Sequence, residues 1–215
     1  MLDKTKTEQI PILDLSKFFG GYEATKISFA ADLRWIQEKI GFYYIVNHGV
    51  ASNLVNEAIS QVKALHSLPM EEKFKLKVDK DTTGYIPMKS TMYVTTDAGH
   101  NDNYDLNENY RIVRDREIDH PSILAGRRFC GPNKWPDSDL LPNFKSIMLN
   151  YYSAMEALGR KMLPLYSRAL DLAPDYLDRF FTDPMWFTRN VHYPPMKGDK
   201  NQFGISPHSD HGFIT

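Results

Sequence analysis

"SPHSDHGFIT", residues 206–215, sets an imidazole and a carboxylate two positions apart, at His208 and Asp210. In an extended strand residues i and i+2 share a face, so the pair reads as two adjacent metal ligands. By the same parity Ser209, His211 and Phe213 point the other way, which makes His211 a poor ligand despite its proximity. Imidazole and carboxylate together suit a borderline divalent ion, and one more histidine would complete a set of two nitrogens and one oxygen on one face of the metal.

Immediately upstream, "WFTRNVHYPP" (186–195) and "GISPHSDHGFIT" (204–215) have strand character, separated by the polar loop "MKGDKNQ" (196–202). Parity along the first of these places His192 opposite Tyr193, which argues against His192 as a third ligand. Before "APDYLDRFF" (173–181), a short helix, apolar residues recur in steps of four and three from Phe144 through Met148, Tyr151, Met155, Leu158, Met162, Leu165 and Ala169 to Leu172. That spacing predicts one long helix, kinked at Pro164 and laid across a sheet rather than zipped into a coiled coil. "CGPNKWPDSDLLP" (130–142) packs three prolines and a glycine into thirteen residues and marks the main seam.

The N-terminal half opens with a strand at "IPILDLSKF" (10–18), then a helix carrying Phe29, Leu33, Ile36 and Ile40 up to Gly41. "FYYIVNHG" (42–49) reads as a buried strand running into a turn. Val55, Ala58, Ile59, Val62 and Leu65 mark a second helix, and "LPMEEKFKL" (68–76) restarts one behind Pro69. Residues 79–109 are polar and turn-rich, as in a working loop or hairpin beside a pocket. Arg111, Arg114 and Arg116 are interspersed with other residues on a strand, where they could reach an anionic substrate, but read first as a solvated edge. Helices first and strands last give an α+β class, a β-structure backed by helices.

Composition narrows the function. Net charge is −1 over 215 residues with both signs interspersed, so no basic surface is expected for nucleic acid. No apolar run has signal-peptide or membrane-spanning character, which predicts a cytoplasmic protein without membrane attachment. Cys130 is the only cysteine, so a metal would be held by nitrogen and oxygen.

"IPILDLSKF", "GFYYIVNHGV", "LPMEEKFKL", "GYIP", "DLNENY", "GPNKWP", "HYPP" and "SPHSDHGFIT" occur in an order and spacing that resemble the isopenicillin N synthase-like 2-oxoglutarate/Fe(II)-dependent dioxygenases almost end to end. The resemblance implies a double-stranded β-helix (jelly roll) with N-terminal helices and a long backing helix. It divides the chain into an N-terminal dioxygenase region, 10–125, and the long helix with the first jelly-roll strands, 139–215. It also makes His208 and Asp210 iron ligands on the first strand of the metal-binding core, and Tyr193 a contact to the co-substrate. Val191 stands where many plant members carry an asparagine that helps bind 2-oxoglutarate. His48 and Glu108 match family positions too, but capping and packing account for the first and a structural role for the second.

The implied cofactors are Fe(II), 2-oxoglutarate and O₂, acting on a small-molecule substrate with no obligate protein partner. The expected reaction is hydroxylation, desaturation or ring closure with release of succinate and CO₂. Two alternatives stay open: an iron oxidase of the same family that does without 2-oxoglutarate, and a non-catalytic fragment or binding module. The family's distal histidine and Arg-x-Ser have no match here, so the sequence is expected to be a truncated enzyme with an incomplete barrel and the third ligand beyond residue 215.

Overall fold

The structure, a computed structural model, describes residues 9–92, 95–96, 99–100, 103–199, 202–208, 210 and 212–215. Two short strands begin it: β1 (Ile12–Asp14) and β2 (Tyr44–Val46) pair in parallel, Ile12 opposite Tyr44 and Asp14 opposite Val46. Between them lie α1 (Ser16–Phe19) and α2 (Glu23–Lys39). Phe29, Ala30, Leu33 and Ile36 form the buried stripe of α2, the 3.6-residue period seen in the sequence. The helix stops where Ile40 and Gly41 both return their N–H groups to the Ile36 carbonyl at 2.8 Å, with Gly41 at φ +84°, a conformation glycine adopts without cost.

The β1–β2 pair and α2 belong to the first of two compact units, residues 1–55 with 150–184. Its core joins Leu13, Leu15, Phe18 and the α2 stripe to Leu158, Met162, Leu165 and Ala169. Those last four come from α6 (Phe144–Ala169), a single 26-residue helix that carries Pro164 within it. Each fully buried leucine or phenylalanine contributes about 1.5–3 kcal/mol. The expected heptad is only partly the buried stripe, because Tyr152 is buried beside Tyr151 and Met155 is 39% exposed. The segment 42–46, expected to be buried, presents Phe42, Tyr44 and Val46 outward. Tyr43 and Ile45, of the opposite parity, pack against the core instead.

The second unit comprises residues 56–149 and 185–215. Its helices are α3 (Ser52–His66, from residue 56 onward), α4 (Met70–Lys75) and α5 (Pro121–Leu124). Its sheet is antiparallel in the order β3 (Gly84–Ile86), β6 (Glu108–Val113), β7 (Phe187–His192), and β4 (Thr95–Thr96) pairs with β5 (Gly99–His100) as a separate hairpin. β6 is the central strand and is buried on both faces save for Arg111. The solvated edge expected at Arg111 is therefore corrected: its guanidinium lies over the Phe129 and Phe187 rings, 5.3 and 5.6 Å from their centroids. The aromatic cluster Tyr110, Trp135 and Phe144 closes this core.

A second correction concerns residues 204–215. The described residues there form no strand. Pro207 has no N–H to give to a ladder, and Gly212, at φ +132°, lies outside the β region. Among the described residues no helix is long and apolar enough to cross a membrane.

Candidate functional site

Residues 203–208 are held by side chains and single backbone bonds to residues 105–107. The Leu106 N–H donates to the Phe203 carbonyl at 2.9 Å, and Asn107 Nδ2 donates to the Gly204 carbonyl at 2.7 Å. Asp105 Oδ1 accepts from both the backbone N–H (3.0 Å) and the hydroxyl (2.7 Å) of Ser206, all of it buried. A carboxylate closing two bonds on one residue fixes the backbone at the entry to the His-x-Asp motif without a sheet ladder.

His208 Nδ1 lies 2.8 Å from the Ser206 carbonyl, which can only accept, so Nδ1 carries the proton. That leaves Nε2 as the lone-pair nitrogen, and it faces Asp210 Oδ1 at 3.1 Å. The structure thus brings the two expected ligands together, although no strand is formed among the described residues there. The donor set fits iron: two bonds of about 2.1 Å at right angles place their ligand atoms about 3 Å apart, and a histidine whose other nitrogen donates to a backbone carbonyl is oriented as metal-bound histidines are. His211 lies outside the described residues. Tyr193 follows β7, is 48% exposed, and rests its ring on Gly204, where an added Cβ would stand 2.9 Å from Tyr193 Cδ1. His48 accepts the Val50 N–H at 3.2 Å within its turn, the local role its position suggested.

A second group of polar residues lies around Glu108, one that no spacing along the chain announces. Glu108 is 5% exposed at the start of β6. Its Oε2 accepts from Lys73 Nζ at 2.9 Å and from the Tyr85 hydroxyl; its Oε1 accepts from His192 Nδ1 at 2.8 Å. Burial would raise the Glu108 pKa, but the bonds from Lys73, Tyr85 and His192 outweigh it and hold the carboxyl at about 2. Burial and the carboxylate together push the Tyr85 phenol up. His66, the last residue of α3, offers Nδ1 to Glu108 Oε1 from 3.4 Å, while its Nε2 lies 2.9 Å from the Asn190 carbonyl. Burial pushes the His66 pKa down, against the pull of the Asn190 carbonyl and the Glu108 charge. His192, excluded above as a third ligand by strand parity, points at Glu108 because the two are register partners across β6 and β7.

One histidine and one carboxylate oriented toward each other are two of the three ligands that define the facial triad of non-haem iron oxygenases. The family model described as "non-haem dioxygenase in morphine synthesis N-terminal" matches residues 10–138, and the chain belongs to that family of 2-oxoglutarate/Fe(II) dioxygenases. The chain is 32% identical over 191 residues to kihadalactone A synthase LFS of Citrus sinensis, covering 86% of this chain and 55% of that protein. It is 30% identical over 215 residues to the 2-oxoglutarate-Fe(II) type oxidoreductase hxnY of Emericella nidulans, covering 95% and 59%. The crystal structure of full-length Neurospora crassa T7H in complex with alpha-KG superposes with a TM-score of 0.68 at 26% identity, covering 86% of this chain and 54% of that one. The chain thus spans between half and two thirds of the length of these relatives.

Proposed function

We propose that the protein carries out 2-oxoglutarate- and Fe(II)-dependent oxidation of a small organic molecule, with His208 and Asp210 as iron ligands. The observation that carries this reading is the orientation of His208: Nδ1–H on the Ser206 carbonyl and Nε2 toward Asp210 Oδ1 at 3.1 Å. The named relatives, one a 2-oxoglutarate-Fe(II) oxidoreductase and one crystallised with alpha-KG, support the same chemistry. Fe(II) bound there supplies O₂-dependent oxidation of a C–H bond, coupled to conversion of 2-oxoglutarate to succinate and CO₂. On this reading residues 139–215 contribute to a jelly-roll domain and residues 10–125 to the region preceding it. The chain's own residues position and exclude: Asp105 and Ser206 fix the backbone that aims His208, and Tyr193 lines the approach for the co-substrate.

The test is anaerobic loading of the polypeptide encoded by the complete coding sequence, followed by succinate detection after O₂ is admitted. Succinate formed in proportion to Fe(II) is the expected result. Substrate oxidation without succinate would transfer the protein to the oxidases that do without 2-oxoglutarate, and neither product would refute the assignment.

Tyr193 has its own expected result. In Gly204→Ala the new Cβ, 2.9 Å from Tyr193 Cδ1, forces the ring to shift. An overpacking cost of about 1 kcal/mol is about fivefold in affinity, so the KM for 2-oxoglutarate should rise by roughly that factor with the iron affinity unchanged. A KM that stays constant in both Gly204→Ala and Tyr193→Phe would remove Tyr193 from the co-substrate site.

A further inference from the structure

The Glu108 cluster contains a mismatch that its hydrogen bonds do not resolve. The Asn190 carbonyl only accepts, so His66 Nε2, 2.9 Å from it, carries the proton. His66 Nδ1 is then a bare lone pair, and it faces Glu108 Oε1, itself an acceptor, at 3.4 Å. The His66 side chain is only 4% exposed, and Nδ1 has no hydrogen-bond partner. Two buried acceptors facing one another cost free energy unless a positive species stands between them. His192 Nδ1, 2.8 Å from the same oxygen, completes a ring of one carboxylate oxygen and two imidazole nitrogens, with one ligand atom from each residue within 4.8 Å of the others.

We propose that His66, Glu108 and His192 form a second metal site, built from residues other than His208 and Asp210, that takes a borderline divalent cation of the zinc type. The separations of 2.8 and 3.4 Å are those of neighbouring ligands around an ion bound at about 2.0–2.1 Å. The surroundings are those of a supported site as well. His66 is oriented by the Asn190 carbonyl, and Glu108 Oε2 is held by Lys73 and Tyr85, which leaves Oε1 as a monodentate ligand. The His192 side chain is 44% exposed and provides the entry path.

The Lys73 ammonium opposes any dication. That opposition selects ions held by imidazole nitrogen over ions held by charge and oxygen, so Mg²⁺ and Ca²⁺ are excluded while Zn²⁺, Co²⁺ and Ni²⁺ are admitted. A metal there would tie the end of α3 to β6 and β7.

The experiment uses the 215-residue chain carrying His208→Ala and Asp210→Ala, which removes the other candidate ligands and keeps the two readings separable. Zn²⁺ is titrated against a chromophoric chelator, Co²⁺ is followed by its visible ligand-field bands, and Tm is measured with and without Zn²⁺. One Zn²⁺ per chain, a Tm raised by Zn²⁺ and no competition by Mg²⁺ or Ca²⁺ are expected. Loss of an outer-shell partner already costs 10–100-fold in metal affinity, so loss of a ligand in His192→Ala should weaken Zn²⁺ by on the order of 100-fold or more. His192→Ala removes a half-exposed side chain and is the variant expected to fold. His66→Gln, which keeps a donor for the Asn190 carbonyl, should weaken Zn²⁺ to the same degree. Absence of Zn²⁺ binding, or binding indifferent to both substitutions, overturns the site.

Discussion

Lys73→Ala is expected to destabilise the protein by about 3–5 kcal/mol, the cost of leaving a buried carboxylate without its counter-charge. Lys73 and Glu108 side chains are 7% and 6% exposed and 2.9 Å apart, so neither can turn to water when the other is removed. Truncating an exposed partner such as Lys75, 2.6 Å from Glu72 at 61% exposure, should cost less than about 1 kcal/mol by contrast. The same cluster sets an acid limit in chelator-treated protein. The Glu108 pKa falls from 4.5 to about 2 on folding, so its contribution is complete above pH 4.5 and is lost as pH falls towards 2. The lowered His66 pKa acts in the same direction at higher pH, since the unfolded imidazole gains a proton below about 6.5 before the buried one does. Denaturant titrations of wild type, Lys73→Ala and Lys75→Ala would measure this. A Lys73→Ala loss no larger than that of Lys75→Ala would mean the pair is hydrated and not a buried ion pair.

Replacing His208 or Asp210 by alanine in the product of the complete coding sequence should reduce turnover to the level of the metal-free protein. On the proposed assignment each substitution removes a ligand, and iron affinity should fall by on the order of 100-fold or more, beyond the loss that outer-shell changes cause. Asp105→Asn tests the support beneath them. It keeps an acceptor for Ser206 but weakens both bonds at 3.0 and 2.7 Å, so iron affinity should fall by less than in the ligand variants. His211→Ala is the comparison: equal loss of iron in His211→Ala and His208→Ala would move the ligand assignment from one histidine to the other.

The sequence made the helices legible because their signal is local. The α2 stripe and the Gly41 stop are read from one face and one conformation, and the structure places both as expected. β6 was harder: "ENYRIV" is a central strand buried on both faces, yet its polar residues Glu108, Asn109 and Arg111 fall at the end of a segment read as a turn-rich loop and, at Arg111, as a solvated edge. What buries them is a set of partners from distant parts of the chain. Lys73 is 35 residues from Glu108 and His192 is 84, and no periodicity encodes such separations. The His-x-Asp pair was legible for a different reason from the one first given. Strand parity predicted its shared face, but the described residues there form no strand, and Asp105 holding Ser206, whose carbonyl accepts from His208 Nδ1, orients the histidine instead.

The first unit is built from two stretches of chain, 1–55 and 150–184, and this has a consequence during synthesis. Ile36 of the α2 stripe and Leu158 of α6, which share its core, are 122 residues apart. At about 5–20 residues per second a ribosome needs about 6–24 s to cover that interval. Until α6 emerges, Phe29, Leu33 and Ile36 lack Leu158, Met162, Leu165 and Ala169, four of the seven buried residues that share a core with the α2 stripe. An amphipathic helix held open for seconds is a substrate for a chaperone or for a neighbouring nascent chain, so yield in the cell is set by that waiting time as well as by final stability. Synonymous changes that slow translation between codons 40 and 158 lengthen the wait without altering a single contact in the folded protein.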